Sequence, residues 1–205
     1  MPSESIQLVV TSPPDLSETV FTRWEPLFEL YSASMQRCVQ ALRNDGVVSV
    51  IVTDRKWKAT ILAKHQLLTA ILKELGMELF LHKILVRNKG IDVYRLGFSH
   101  VLCFRRKDRE RAGKSGSMHA SPLFRQDVWG PFAPTQGVRG TRNSFPAEAV
   151  KLLIEAFSWP KDLVVDPFCG CGTTQRVALG TGREALGFET NRRLERFWKP
   201  LRSFQ

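Results

Sequence analysis

Apolar and polar residues follow one another along this chain in two rhythms, and the changes of rhythm mark out its elements. Ile6 to Thr11 is a short β-branched run that meets Ser12-Pro13-Pro14, where two prolines forbid both helix and ladder pairing. It predicts a buried strand ending in a stiff loop. From about Pro26 to Arg43, Leu27, Leu30, Tyr31, Met35, Cys38, Val39 and Leu42 recur at steps of three and four. That is the period of an amphipathic helix, and Asn44-Asp45-Gly46 supplies its stop. Val47 to Thr53 predicts a second buried strand, and Ala59 to Leu75 returns to the helical period before Gly76 ends it. Two more strands are predicted at about Glu78 to Val86 and Phe98 to Phe104.

The rhythm then fails. Arg105 to Asn143 is rich in charge, Gly, Pro and Ser, with an apolar cluster only around Val128, Trp129 and Phe132. A structureless loop of this length inside a compact domain is expected only where it has a function. Order resumes at Pro146, a good first-turn residue for a helix running to about Ser158. A strand from Leu163 to Val165 ends at Asp166, a helix starts near Thr174, Ala185 to Phe188 is a short strand, and a last helix runs from Asn191 to about Trp198. Strand alternating with helix predicts an α/β fold, with a mostly parallel sheet covered by helices on both faces. The 205 residues suit one domain, 1–205, with 105–143 as an inserted loop.

Composition narrows the class. Thirty Lys and Arg against 20 Asp and Glu give a formal charge of +10, which favours a polyanionic partner such as nucleic acid. No run of 18 apolar residues is present and the amino terminus lacks a basic leader with an apolar core, so a soluble intracellular protein is expected. Cys38, Cys103, Cys169 and Cys171 are too few and too irregular for a disulfide framework, and they are read as reduced thiols.

Two strings carry chemistry. Asp166-Pro167-Phe168-Cys169-Gly170-Cys171-Gly172-Thr173-Thr174 falls between a strand and a helix, where open α/β sheets bind ligands and glycines let backbone approach closely. About twenty residues on, Glu189 ends the next strand, the place where nucleotide-binding sheets put an acid that accepts from ribose hydroxyls. Together they suggest an adenosine-containing ligand. No phosphate-cradling Gly-x-x-x-x-Gly-Lys motif is present, which disfavours a nucleoside triphosphate. Ser12-Pro13-Pro14 is the second string. The amine of a nucleobase is a poor nucleophile, because its lone pair is delocalised into the ring. A serine oxygen and the Pro13 carbonyl can accept hydrogen bonds from the amine and localise that pair.

These strings resemble the amino-methyltransferases of DNA, in particular the circularly permuted group called β, in which the catalytic motif precedes the cofactor motif. VVTSPP is similar to the catalytic motif, DPFCGCGTT to the cofactor motif, GFETN to the acidic motif, and RNSFPAEAVKLLIEAFS to the helix and loop that fold over the methionine part of the cofactor. DVWGPF resembles a segment that precedes that helix. The resemblance implies a seven-stranded, Rossmann-like sheet of the class I methyltransferase type, with S-adenosyl-L-methionine as cofactor. It implies direct methylation of a flipped base and catalysis by Ser12, Pro13, Pro14 and Asp15; no metal is expected, since a zinc site would need more ligands at recognisable spacing. The cofactor would be held by Asp166, Pro167, Phe168, Gly170, Gly172, Thr173, Thr174, Glu189, Phe145 and Pro146.

Asp15 departs from the pattern. The family places an aromatic residue there to stack on the base, so stacking falls to another ring, with Phe21, Trp24 and Trp57 as candidates. Asp15 could instead accept a proton or an amine hydrogen bond, although an exposed loop carboxylate is the commoner reading. The chain also begins almost at the catalytic strand, so the strand that usually precedes it is absent, which predicts a sheet one strand short or a shortened chain. Ser12 at the head of the catalytic string leans the analogy toward cytosine N4, with N6 of adenine and N4 of cytidine in RNA as alternatives. A different class of reading is a non-catalytic nucleic-acid-binding subunit.

The basic run Arg105, Arg106, Lys107, Arg109, Arg111 and Lys114, extended by Arg139 and Arg142, occupies the target-recognition position. It is read either as a phosphate-following strip or as a solvated charged loop. DNA is the expected partner, with a homodimer or a specificity subunit as a further possibility, in a bacterial cytoplasm or a nucleus. His65, His82, His100 and His119 read as scattered surface or packing residues, and Asp54 as a pocket residue or a helix cap.

Overall fold

The first strand in the sequence lies in the middle of the molecule. In the computed structural model, which describes residues 3–57, 59–86, 96–107, 121–132, 145–194 and 197, β1 (Ile6–Thr11) is buried at every position. Its side chains reach both faces of the sheet: Ile6 and Val9 enter one core cluster, Leu8 and Val10 the other, the alternation changing phase at a register irregularity between Ile6 and Leu8. After it come α1 (Trp24–Ala41), β2 (Leu42–Val52), the hairpin β3 (Arg55–Trp57) and β4 (Thr60–Leu62), α2 (Lys64–Glu74), β5 (Met77–Val86) and β6 (Phe98–Arg106). The remaining elements are β7 (Val128–Trp129), α3 (Ala147–Phe157), β8 (Leu163–Asp166), α4 (Thr173–Gly180) and β9 (Glu184–Gly187).

Seven strands form one sheet in the order β7-β5-β6-β2-β1-β8-β9. β1 pairs in parallel with β2 and β8, β8 with β9, and β5 with β7, whereas β6 is antiparallel to both its neighbours. Six strands therefore point one way and β6 alone is reversed. One core cluster packs α1 and α2 on one face of the sheet, and the other packs α3 and part of α4 on the opposite face. This is the expected α/β architecture, and its carboxyl edge gathers the ends of β2, β1, β8 and β9.

The structure corrects the sequence reading in four places. Asn44-Asp45-Gly46 does not form a stop after α1; the chain passes into β2 at Leu42, and the polar triplet falls where the register moves from Ile6↔Leu42 to Leu8↔Val47. The fully buried Leu42 anchors that early start. Residues 59–62 are not helical: Ala59 takes a positive φ of 60° in the turn between β3 and β4. The 105–143 segment is not structureless throughout, because β6 runs to Arg106, Pro122–Arg125 form a 3-10 turn started by Ser121, and β7 follows. Trp129, wholly buried, anchors this two-residue strand and brings the sheet to seven, so it is not a strand short. Of the last helix, a 3-10 turn at Arg192–Leu194 is seen, and most of its length lies outside the described residues. Among the described residues no helix is long and apolar enough to cross a membrane.

Candidate active site

Because β1 and β8 are parallel neighbours, Ser12 and Asp166 emerge at the same edge. Thr11, the residue before Ser12, donates its hydroxyl to Asp166 Oδ1 at 2.7 Å. The Phe168 amide donates to the same oxygen at 3.0 Å, and the Thr174 hydroxyl donates to Oδ2 at 2.8 Å. One buried carboxylate thus joins the end of β1, the turn after β8 and the start of α4. Burial pushes its pKa up to about 6; the three donors oppose that rise and the charge of Glu189 adds to it.

The turn after β8 is shaped by glycine. Gly172 sits at the N-cap of α4 with φ 81°, a left-handed conformation that a side chain would strain. Gly187, at the end of β9, leaves room for α4: a Cβ there would come within 2.5 Å of Gln175 Nε2 and 2.8 Å of Cys169 Cβ. Glu189 accepts from the Gly170 amide at 3.0 Å and the Asn191 amide at 2.7 Å, so it closes the turn from the β9 side. Each of its oxygens keeps a second lone pair for a hydroxyl of a ligand. Phe188 beside it is 48% exposed, an apolar surface next to an acid. Thr173 is buried at the first turn of α4 and Pro167 is half-buried in the turn. Phe145 packs on the second core cluster, and Pro146 is the N-cap of α3.

The catalytic string is held rigidly. Pro13 is buried, and Ser12 is half-buried with its hydroxyl lacking a hydrogen-bond partner among the described residues. The Tyr31 hydroxyl donates to the Pro14 carbonyl, and the Tyr31 ring meets Phe168 edge-on with centroids 6.1 Å apart. α1 therefore braces both strings at once.

Asp15 does not hang in solvent: its Oδ1 receives Lys64 Nζ at 2.5 Å and its Oδ2 lies 3.5 Å from Arg55. Lys64 is 3% exposed, so this is a buried charge with a matched counter-ion. Phe21 and Trp24 pack against the first core cluster, Trp24 stacking on Phe28 at 5.8 Å.

Sequence reading missed one cluster. Asp54, after β2, caps α2 by accepting from the His65 amide at 3.1 Å, and its Oδ2 meets His65 Nδ1 at 2.6 Å and His100 Nε2 at 3.4 Å. His82 Nε2 lies 3.0 Å from His100 Nδ1. Three of the four histidines read as scattered are thus connected. Burial is the leading cause that lowers the pKa of His82 and of His100. Nothing in the spacing announces the group, because the sheet register and the α2 N-terminus bring it together. The thiols of Cys38, Cys103 and Cys169 are pushed up to about 12, chiefly by burial, and so are held protonated rather than nucleophilic.

Arg105 and Arg106 lie at the opposite sheet edge from Ser12, because β6 runs antiparallel to β2. Arg105 pairs with Glu78 at 2.6 Å and lies over the Phe80 ring, and Arg106 donates to the Val39 and Leu42 carbonyls. Their guanidinium groups serve the fold, and Lys107 is exposed just beyond them. Arg109, Arg111, Lys114, Arg139 and Arg142 lie outside the described residues, as does His119.

Comparison with known proteins places this arrangement. The chain is 31% identical over 113 residues to the type II methyltransferase M.MjaI of Methanocaldococcus jannaschii, a match over 49% of this chain and 37% of that protein. It is 46% identical over 46 residues to the DNA adenine methyltransferase YhdJ of Escherichia coli K12, over 22% and 16% of the two chains. The matches thus span well under half the length of these curated relatives. In fold it is similar to TTHA0409 of Thermus thermophilus, with a TM-score of 0.78 at 23% identity over 98% of this chain and 88% of the other. TTHA0409 has also been solved complexed with S-adenosyl-L-methionine, and there the TM-score is 0.75 at 22% identity over 97% and 88%. The cytosine-N4-specific PvuII DNA methyltransferase superposes with a TM-score of 0.70 at 20% identity, covering 92% and 76%. The fold is that of the class I methyltransferases. The N6/N4 methyltransferase family model, described as DNA methylase, matches residues 6–199, and the chain belongs to that family.

Proposed function

We propose that this protein is an S-adenosyl-L-methionine-dependent DNA methyltransferase of the circularly permuted β group that methylates N4 of cytosine. The observation that carries the reading is the Thr11 to Asp166 hydrogen bond, which ties the end of the catalytic strand to the cofactor turn and leaves the Ser12 hydroxyl open beside it. The residues suit the cofactor: Glu189 has lone pairs left for ribose hydroxyls, Phe188 offers an apolar surface to a base, and the glycines at 170 and 172 bring backbone close. When bound, the cofactor supplies an electrophilic methyl group on a sulfonium. Pro167, Phe168, Thr173 and Thr174 line or brace its turn, and Phe145 and Pro146 lead into the helix that covers it.

Ser12 and the Pro13 carbonyl accept the two amine hydrogens of the flipped base and turn its lone pair toward the methyl carbon. With the cofactor held there, the N–C bond would form as its S–C bond broke, and the surplus amine proton would leave to water. Pro14, held by Tyr31, fixes the loop, and Asp15 acts through its ion pairs with Lys64 and Arg55 as a positioning residue. Residues 1–205 act as one methyltransferase domain, with 105–143 the target-recognition segment. There Lys107, Arg109, Arg111, Lys114, Arg139 and Arg142 follow the phosphates, and Arg105 and Arg106 hold its base to the sheet.

The test is a digest. Duplex and single-stranded DNA, and RNA, are incubated with labelled cofactor, reduced to nucleosides and separated by mass. N4-methylcytosine in DNA is expected. N6-methyladenine is the second reading, motivated by the match to YhdJ, and would overturn the cytosine assignment. Label in RNA alone would remove DNA, and no saturable cofactor binding would favour a non-catalytic subunit.

A further inference from the structure

We propose that Asp54, His65 and His100 form a binding site for a transition-metal dication of the zinc type, set behind the catalytic loop. Each offers one ligand atom, and these atoms lie within 4.8 Å of one another. His65 Nδ1 and His100 Nε2 both approach the same carboxylate oxygen, and because the two imidazoles are stacked, with ring centroids 4.0 Å apart and planes 19° apart, one ring must rotate for both in-plane lone pairs to meet a shared ion. A tetrahedral zinc ion with bonds of about 2.0–2.1 Å needs ligand atoms about 3.3 Å apart. The Asp54 to His100 edge is already 3.4 Å. The Asp54 to His65 edge, at 2.6 Å, must open by less than about 1 Å.

The donor set decides the class of ion. Two imidazoles and one carboxylate suit zinc, cobalt or nickel, whereas magnesium and calcium prefer oxygen throughout. Two of the ligands already have supporting contacts. Asp54 is fixed by the His65 amide at 3.1 Å, and His82 Nε2 stands 3.0 Å from His100 Nδ1, where it can accept that ring's proton when Nε2 ligates. Asp54 and His100 are 4% and 8% exposed, while the His65 side chain is 24% exposed and leaves a route in from solvent. The two cations beside the cluster in sequence, Arg55 and Lys64, are paired with Asp15, which reduces their repulsion of an incoming ion. A bound ion would join the end of β2, strand β6 and the start of α2, from which Arg55 and Lys64 hold Asp15.

The experiment uses the full chain, stripped with a chelator and titrated with zinc against a chromophoric indicator. One ion per chain is expected, with a rise in Tm. In His65→Ala and His100→Ala that stoichiometric binding is lost, and in His82→Asn it weakens by about ten- to a hundredfold. Cobalt in place of zinc is expected to give the intense visible bands of a tetrahedral site. Far-UV circular dichroism and urea unfolding of the metal-free variants separate lost ligation from lost folding, and His65→Asn is the conservative second variant. Absence of stoichiometric binding overturns the proposal. So does binding that survives His65→Ala and His100→Ala but is lost in a Cys169→Ser, Cys171→Ser double variant, or a cobalt spectrum of octahedral type.

Discussion

Two neighbouring stretches of the same sheet edge are built on opposite plans. Where β1, β8 and β9 end, the work is done by backbone amides, hydroxyls and glycines that lie in two short strings of sequence. Where β2 and β6 meet α2, it is done by charged and imidazole side chains drawn from residues 15, 54, 55, 64, 65, 82 and 100. The first plan uses neutral donors around two acids, Asp166 and Glu189, so its geometry is set by chain conformation. The second balances full charges away from water, so each partner is needed to keep another from standing alone.

Removing a partner from the second region is expected to have the largest effect. Lys64→Met leaves Asp15 with only the longer contact to Arg55. Breaking a buried pair from one side costs about 3–5 kcal/mol. Urea unfolding should show that loss, and Lys64→Met with Asp15→Leu together should recover much of it; equal stability of the single variant and the parent would break the contrast. In the first region, Ser12→Ala should leave folding and cofactor affinity intact while kcat falls by about 10²- to 10³-fold, the cost of one missing acceptor at the reacting centre. An unchanged kcat would remove Ser12 from the chemistry.

Asp166 sharpens the comparison through pH. Its folded pKa, about 6, lies above the ordinary carboxylate value. The stability it confers is therefore complete below pH 4 and is lost as pH rises through 6. The full swing is on the order of 3 kcal/mol. Asp166→Asn should flatten the Tm profile between pH 4 and 6, and a profile that keeps the parent's slope would place the titration elsewhere. The smallest effect is expected for Gly187→Ala, where both Gln175 and the Cβ of Cys169 must give way. Overpacking of this kind costs about 1–3 kcal/mol. Cofactor titration should weaken along with Tm; a fall in Tm alone would mean that β9 and not the turn absorbs the strain.

The same contrast explains what could be read in the residues. Asp166 to Thr174 and Ser12 to Pro14 are contiguous, so their chemistry was visible in order, as was the strand and helix alternation that places them on one edge. The Asp54 cluster depends on Val52 standing opposite His100 in the β2 and β6 register, and on α2 starting at Lys64 rather than near Ala59. Neither is written in a local pattern. The partners of Asp15 were hidden for the same reason: a hairpin of three-residue strands, too short to show a period, brings Arg55 and Lys64 back beside it.

The position of β1 has a consequence for how the protein is made. It leaves the ribosome ahead of the other six strands of its sheet, yet it lies between β2 and β8, and its Thr11 waits for an acid 155 positions later. A nascent chain can pair β1 with β2 early, but one side of that strand stays unfilled until Val165 emerges. Contacts of such long range form late and slowly. Released fragments ending before residue 160 would carry an open, adhesive strand flank, which closes only once β8 has been made.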